Sequence, residues 1–412
     1  MPEQQGSLGG RAAFHFPNFV YYETARFCVV VSLEMQSVAV GWQIFQMTHR
    51  PLDLGLAGLA QFLPGILLFL LSGHAADRLD RRRLLTICYM GFAVCSALLL
   101  ALTLRHVGWV YLIYAVLIFL GVVRSFNGPV SRALLPQLVP EEHFPNAVTW
   151  NATVLQTATI LGPALGGVVY AIFRGPACVY LLALISAIVA MVLTLRLTVR
   201  TAQRASQART WHSFLAGLNF IWEHKVILGS ISLDLFAVLL GGAVALLPVY
   251  ASEILKTGAW GLGLLRSAPG VGAAAMAILL AHYPMRKRAG ATMLWCVAGF
   301  GIFTIIFGVS HNLVVSMIAL LLVGATDMVS VVVRATVVQI ATPEEMQGRV
   351  NAVDLVFIGA SNEFGEFESG LTAQWLGAVP AVILGGIGAI VVTGLWAWMF
   401  PELRRADKLT DV

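Results

Sequence analysis

Apolar runs long enough to cross a lipid bilayer recur twelve times along this 412-residue chain. A spanning helix needs about 20 apolar residues. The runs fall at about 19–47, 54–74, 84–104, 107–128, 144–173 and 176–197, then at 226–252, 259–282, 290–310, 312–334, 347–376 and 379–400. None shows the period-two alternation of a membrane barrel strand. Residues of the set AVILMFWYC make up 58% of the chain and charged residues 11%, against about 25% charged in soluble domains. Such a chain cannot cover itself with polar surface. The prediction is an all-α membrane protein of twelve transmembrane helices with short loops. Disorder, fibrous repeats, a disulfide scaffold and a large soluble domain are excluded.

The chain also repeats itself. Leu138-Val139-Pro140-Glu141-Glu142 recurs as Ala341-Thr342-Pro343-Glu344-Glu345, and Asn146-Ala147-Val148 recurs as Asn351-Ala352-Val353. Each Pro-Glu-Glu copy follows the fourth span of a six-span unit, which predicts two pseudo-symmetric six-helix bundles. The predicted units are 1–197, a cytoplasmic linker 198–225, and 226–412. Within the linker Trp211, Phe214, Leu215, Leu218, Ile221 and Trp222 fall at helical spacing. That pattern predicts an amphipathic helix on the inner membrane face, or a plain connector between the halves.

Lys and Arg orient the chain. With the N-terminus inside, the inner ends hold Arg11, Arg78, Arg81, Arg82, Arg83, Arg132, Arg196, Arg200, Arg204, Arg209, Lys225, Arg286, Lys287, Arg288, Arg349, Arg404, Arg405 and Lys408. The outer loops hold only Arg50, Arg105, Arg174 and Lys256. This bias predicts both termini in the cytosol. It also accounts for the net charge of +5 without nucleic acid as a partner. The polar N-terminus has no signal-peptide core. The cysteines form no CxxC pair and the histidines lie in loops or near helix ends, so neither a metal nor another cofactor is predicted.

Three motifs carry a resemblance. The loop after span two reads Gly73-His-Ala-Ala-Asp77-Arg78-Leu-Asp80-Arg81-Arg82-Arg83. Span four holds Arg124-Ser-Phe-Asn127-Gly128. Span five holds Ala158-Thr-Ile-Leu-Gly162-Pro163-Ala-Leu-Gly166-Gly167. The first resembles the loop signature of the major facilitator superfamily, with Asp80 where Gly is usual. The second resembles its fourth-helix motif, with Asn127 for Gln. The third resembles the antiporter motif of drug–proton exchangers, with Ala158 at the first position. Ala25-Arg26-Phe27, and Thr342-Pro343-Glu344 followed by Gly348-Arg349-Val350-Asn351, extend the likeness to the drug-efflux branch that includes macrolide and enterobactin exporters. The resemblance implies a twelve-helix transporter whose helices one, four, seven and ten line a cavity. Gly73, Asp77, Arg78, Arg81 and Arg82 would form a gating loop, with Asp77 at a helix N-terminus of the other half and the arginines at the headgroups. Gly162 and Gly166 form a close-packing face, expected to join two moving halves.

Charges inside a membrane are costly and mark function. The predicted cavity helices carry Glu34, Arg124, Asp234, Asp327 and Arg334; helix eleven adds Asp354, Glu363, Glu366 and Glu368. Asp327 and Arg334 share a helix face, as do Glu363 and Glu366. Arg334 with Asp354 reads as an ion pair. Glu34 and Asp327, with Arg124 as counter-ion, read as a proton- and substrate-responsive network. The expected activity is secondary active, proton-coupled efflux of a lipophilic drug-like or siderophore-like small molecule by a monomer in the bacterial inner membrane. An importer or a lysolipid flippase on the same scaffold is the alternative. An enzyme is not expected, because the paired acids have no His or Ser partner. There is no Walker loop for ATP.

Overall fold

The computed structural model describes residues 12–198, 211–283 and 289–405. Among them every regular element is helical: α1 (Pro17–Thr48), α2 (Pro51–Leu67), α3 (Phe69–Arg78), α4 (Arg81–Leu104), α5 (Val110–Leu134), α6 (Phe144–Ile172), α7 (Ala177–Leu195), α8 (Trp211–Glu223), α9 (Lys225–Leu240), α10 (Leu247–Val249), α11 (Gly258–His282), α12 (Ala289–Val309), α13 (Leu313–Ala341), α14 (Glu344–Leu376), α15 (Ala378–Met399) and α16 (Pro401–Arg405). Arg11, Arg200, Arg204, Arg209, Arg286, Lys287, Arg288 and Lys408 of the basic set lie outside the described residues.

Ten helical segments have the length and hydropathy of a membrane crossing. Two predicted spans fall short, for different reasons. Span two is divided between α2 and α3. Pro64 withholds a backbone donor, and the chain leaves helical geometry at Leu68, with φ −99° and ψ 3°. Span eleven is α14, 33 residues long, but it carries Glu344, Glu345, Arg349, Asp354, Glu363, Glu366 and Glu368. With these two the helix count is the predicted twelve.

Span seven, predicted as one run over 226–252, is broken. Helix α9 stops at Leu240, a 3-10 turn covers Ala243–Leu246, and a π turn covers Tyr250–Ile254 after α10. The break falls at two glycines that neighbouring helices approach closely. A side chain on Gly241 would overlap the Phe300 ring, and one on Gly242 would stand 2.8 Å from the Gly365 carbonyl carbon. The Gly385–Gly388 stretch packs helices together: a Cβ on Gly386 would lie 2.7 Å from the Gly301 carbonyl oxygen.

The chain divides into two compact units. The first comprises Met1–Ala39 and Leu63–Ala208; the second comprises Val40–Phe62 and Arg209–Val412. The predicted bundles assigned residues 40–62 to the first half, but this stretch packs inside the second unit. A Cβ on Gly55 of α2 would stand 2.9 Å from the Phe367 Cα of α14, and one on Gly370 would stand 2.9 Å from the Pro51 carbonyl oxygen. The Phe62 and Phe364 rings meet edge to face, with centroids 5.9 Å apart. The glycines let the two backbones approach, and the aromatic pair extends the contact.

Helix α8 forms where the periodicity places it, and protein covers much of its apolar face. Ile221 is fully buried, and Phe214 and Leu218 pack against Ile227, Ile231, Val338, Val350 and Val353 of the second unit. Among the described side chains of that stripe, Leu215 and Trp222 stay exposed. The periodicity identified an amphipathic helix, but it could not say whether lipid or protein would cover its apolar side.

Candidate functional site

Among the described residues the second unit holds one buried cation, Arg334. The Asn312 side chain caps α13 by accepting from the Val314 and Val315 amides at 2.9 and 3.3 Å. The helix then carries Arg334 into a core that includes Leu233, Val329, Val333, Val337 and Trp396. Arg334 is 4% exposed. Its Nη1 lies 2.9 Å from Asp234 Oδ2 on α9 and 3.3 Å from Asp354 Oδ1 on α14. Its Nε has no partner among the described residues. Asp327, half-buried and two turns earlier on α13, is in electrostatic reach of Asp234 and Arg334. The paired residues were identified from the sequence as Arg334 with Asp354; Asp234 joins them because α9 packs against α13 and α14. The expected counter-ion for Asp327 was Arg124, yet the cation that reaches it within its own unit is Arg334. One guanidinium cannot neutralise three carboxylates. The remaining negative charge has to be matched by protons or by another cation.

Glu363 and Glu366 share a face, as predicted. Their Oε2 atoms stand 3.1 and 2.9 Å from the place a Cβ would take on Gly58 of α2. Glu368 points elsewhere and accepts from the Thr372 hydroxyl at 2.7 Å.

In the first unit Glu34 is half-buried on α1. A Cβ on Gly162 of α6 would overlap the Glu34 Cβ, and one on Gly166 would lie 2.7 Å from the Met35 Cα. Gly162, Pro163, Gly166 and Gly167 are all buried. The two glycines of the close-packing face therefore bring α6 against α1 of the same unit. Arg124 is exposed on α5.

The loop between α3 and α4 is held by its own charges. Gly73 is buried and Arg78 exposed; the Asp77 side chain lies outside the description. Arg81 donates to the Ala133 carbonyl near the end of α5 at 2.9 Å and to the Ala76 carbonyl of α3 at 3.4 Å. Arg82 donates to the Leu195 carbonyl, which ends α7. Helix C-termini concentrate negative potential and unpaired carbonyls, which suits guanidinium groups. These two arginines thus hold helix ends; the headgroup role expected of the loop fits the exposed Arg78 and Arg83. Asp80, the departure from the loop signature, caps α4 by accepting from the Arg83 amide at 3.0 Å. Asp80→Ala is expected to cost about 1 kcal/mol and Asp80→Gly only a few tenths. Equal losses in thermal unfolding of the two variants would remove the capping role.

Two buried acids escaped sequence reasoning, Asp53, which pairs with Arg50, and Glu23. Glu23, on α1, is 3% exposed and accepts from Asn151 Nδ2 of α6 at 2.6 Å. Its place a few residues into span one reads as interfacial, and only its burial reveals it. The neighbouring Tyr22 donates to the Ser131 carbonyl of α5 at 3.0 Å.

The family described as transmembrane secretion effector matches residues 12–411. The chain belongs to this family. Among curated relatives, the enterobactin exporter EntS of Citrobacter koseri is 27% identical over 399 residues, covering 94% of this chain and 93% of that protein. EntS of Salmonella paratyphi A is 27% identical over 406 residues, covering 96% and 95%. The fold is similar to solved transporters of low identity. A POT family transporter in complex with 5-aminolevulinic acid superposes with TM-score 0.72 at 11% identity, covering 93% of this chain and 96% of that one. A D-xylose–proton symporter superposes with TM-score 0.65 at 16% identity, covering 97% and 98%. The family is a branch of the major facilitator superfamily, and the fold is its twelve-helix arrangement of two pseudo-symmetric bundles. The protein is a membrane transporter of that type.

Proposed function

We propose that this chain exports a lipophilic drug-like or siderophore-like small molecule across the bacterial inner membrane in exchange for protons, with both termini in the cytosol. The observation that carries the coupling is the buried Asp234–Arg334–Asp354 cluster with Asp327 beside it, where one cation faces three acids. A proton arriving there weakens a carboxylate's hold on Arg334 and frees α9, α13 and α14 to rearrange. Glu34 and Arg124 act on the substrate side in the first unit. Glu363 and Glu366 respond to protons where α14 meets α2. The Gly73–Arg82 loop gates, and the Gly162–Gly167 motif sets the packing of α1 on α6. The substrate class rests on relatives that are named enterobactin exporters.

Enterobactin is therefore the first probe. Proteoliposomes with an acidic interior should accumulate it, since protons leaving down their gradient drive an antiporter's substrate inward. Asp327→Asn and Glu34→Gln should lose this accumulation but keep exchange at equal pH. Full gradient-driven accumulation in both variants would remove these acids from coupling. If wild type ignores the gradient, the protein is not a proton exchanger for this probe. A panel of lipophilic dyes then tests the drug-like arm. A reporter fused after Val412 should be active only in the cytosol.

A further inference from the structure

The two units carry polar clusters at matching places. Arg334 stands nine residues before Pro343 and Asp354 eleven after it; Ser131 stands nine before Pro140 and Asn151 eleven after it. In the second unit these positions hold a guanidinium and a carboxylate that bond to each other, with Asp234 of α9 as third member. In the first unit they hold a serine and an amide, and the third member is the Tyr22–Glu23 pair of α1. The first cluster thus lacks the guanidinium that its counterpart has on the fourth helix of the repeat. The consequence shows at Glu23. Oε1 accepts from Asn151, while Oε2 is buried and has no hydrogen-bond partner among the described residues.

The groups facing this carboxyl are few. From α1 come Tyr22 and Arg26, from α6 Asn151, and from α4 Tyr89. Arg26 directs its Nη1 to the Asn151 carbonyl at 3.5 Å. Tyr22 is engaged with Ser131, as described above. A buried carboxylate oxygen without a donor is costly, and a proton is the smallest group that removes the charge. We propose that Glu23 is a second proton carrier of this transporter, taking its proton on Oε2 at the first-unit counterpart of the Arg334 cluster. This rests on the proton-coupled reading above. Protonation removes the negative charge beside Arg26 and weakens the Asn151–Glu23 bond, which loses its charge assistance. The contact between α1 and α6 then loosens, at the pair of helices that Gly162 and Gly166 bring together.

Two measurements test it. Infrared difference spectra between acidic and alkaline buffer, on the purified full chain in lipid, should show a carboxylic-acid carbonyl band. That band should vanish in Glu23→Gln and move in Asn151→Ala, which removes the donor to Oε1. Identical spectra for wild type and Glu23→Gln overturn the proposal. In proteoliposomes with an acidic interior, Glu23→Gln should lose enterobactin accumulation but keep exchange at equal pH. Undiminished accumulation in that variant overturns the proposal, although wild type remains an exchanger. No gradient-driven accumulation of any probe by wild type overturns the proton-coupled reading itself, and the carrier role with it.

Discussion

Arg334→Ala is expected to destabilise the folded protein by about 3–5 kcal/mol, the range for removing one partner from a buried ion pair. The residue is 4% exposed and bonds two carboxylates, of which Asp234 is 5% exposed. Without it both acids remain in an apolar core with no cation between them. A combined Arg334→Leu, Asp234→Asn, Asp354→Asn variant should recover most of that loss, because replacing a whole buried ion cluster is often close to neutral. Thermal unfolding of purified protein in detergent separates the cases. A single variant as stable as wild type would show that water reaches the cluster. Recovery of stability without recovery of gradient-driven transport would place the cluster in coupling rather than in folding.

The second large effect is expected at the contact of α11 with α13. A Cβ on Gly272 would overlap the Leu321 carbonyl oxygen, and one on Gly324 would overlap the Pro269 carbonyl oxygen. Both obstacles are backbone, so neither can turn aside as a side chain would. Ala is a better helix former than Gly by about 1 kcal/mol. Even so, Gly272→Ala and Gly324→Ala should each lose on the order of 3 kcal/mol, since the helices must separate along their length. Gly394→Ala on α15, where nothing stands within 4 Å of the new atom, should be neutral or stabilising. Folded yield from membranes and the unfolding temperature report both outcomes. Equal yields for all three variants would mean that the helices slide apart at little cost.

These two sites differ in how much of them the sequence reveals. Arg334 and Asp354 are recognisable as a pair because a charge deep in an apolar run needs an opposite charge, and helices ten and eleven are adjacent in sequence. Asp234 is a hundred residues earlier than Arg334, and only the packing of α9 shows which acid sits closer to the guanidinium. Gly272 and Gly324 carry no pattern that says which partner each faces, because a missing side chain leaves no signature of its neighbour.

The number and kind of helices follow from the sequence alone, since bilayer thickness demands about 20 apolar residues per crossing. The duplicated Pro-Glu-Glu segment likewise implies the repeat, and the loop, fourth-helix and antiporter motifs suffice for the family. Tertiary structure decides what covers each face. The α8 stripe reads the same whether lipid or protein meets it, and it is Ile227, Ile231 and Val353 that bury it. The Gly162 and Gly166 face reads as a packing surface, and only the fold selects Glu34 and Met35 of α1 as its partners. The same holds for Glu23. A carboxylate's distance from a helix end is written in the sequence, but its desolvation depends on Asn151 of α6 closing over it from a site 128 residues further along the chain. Burial of a polar atom is a sum over neighbours, and neighbours distant in sequence are set by the fold.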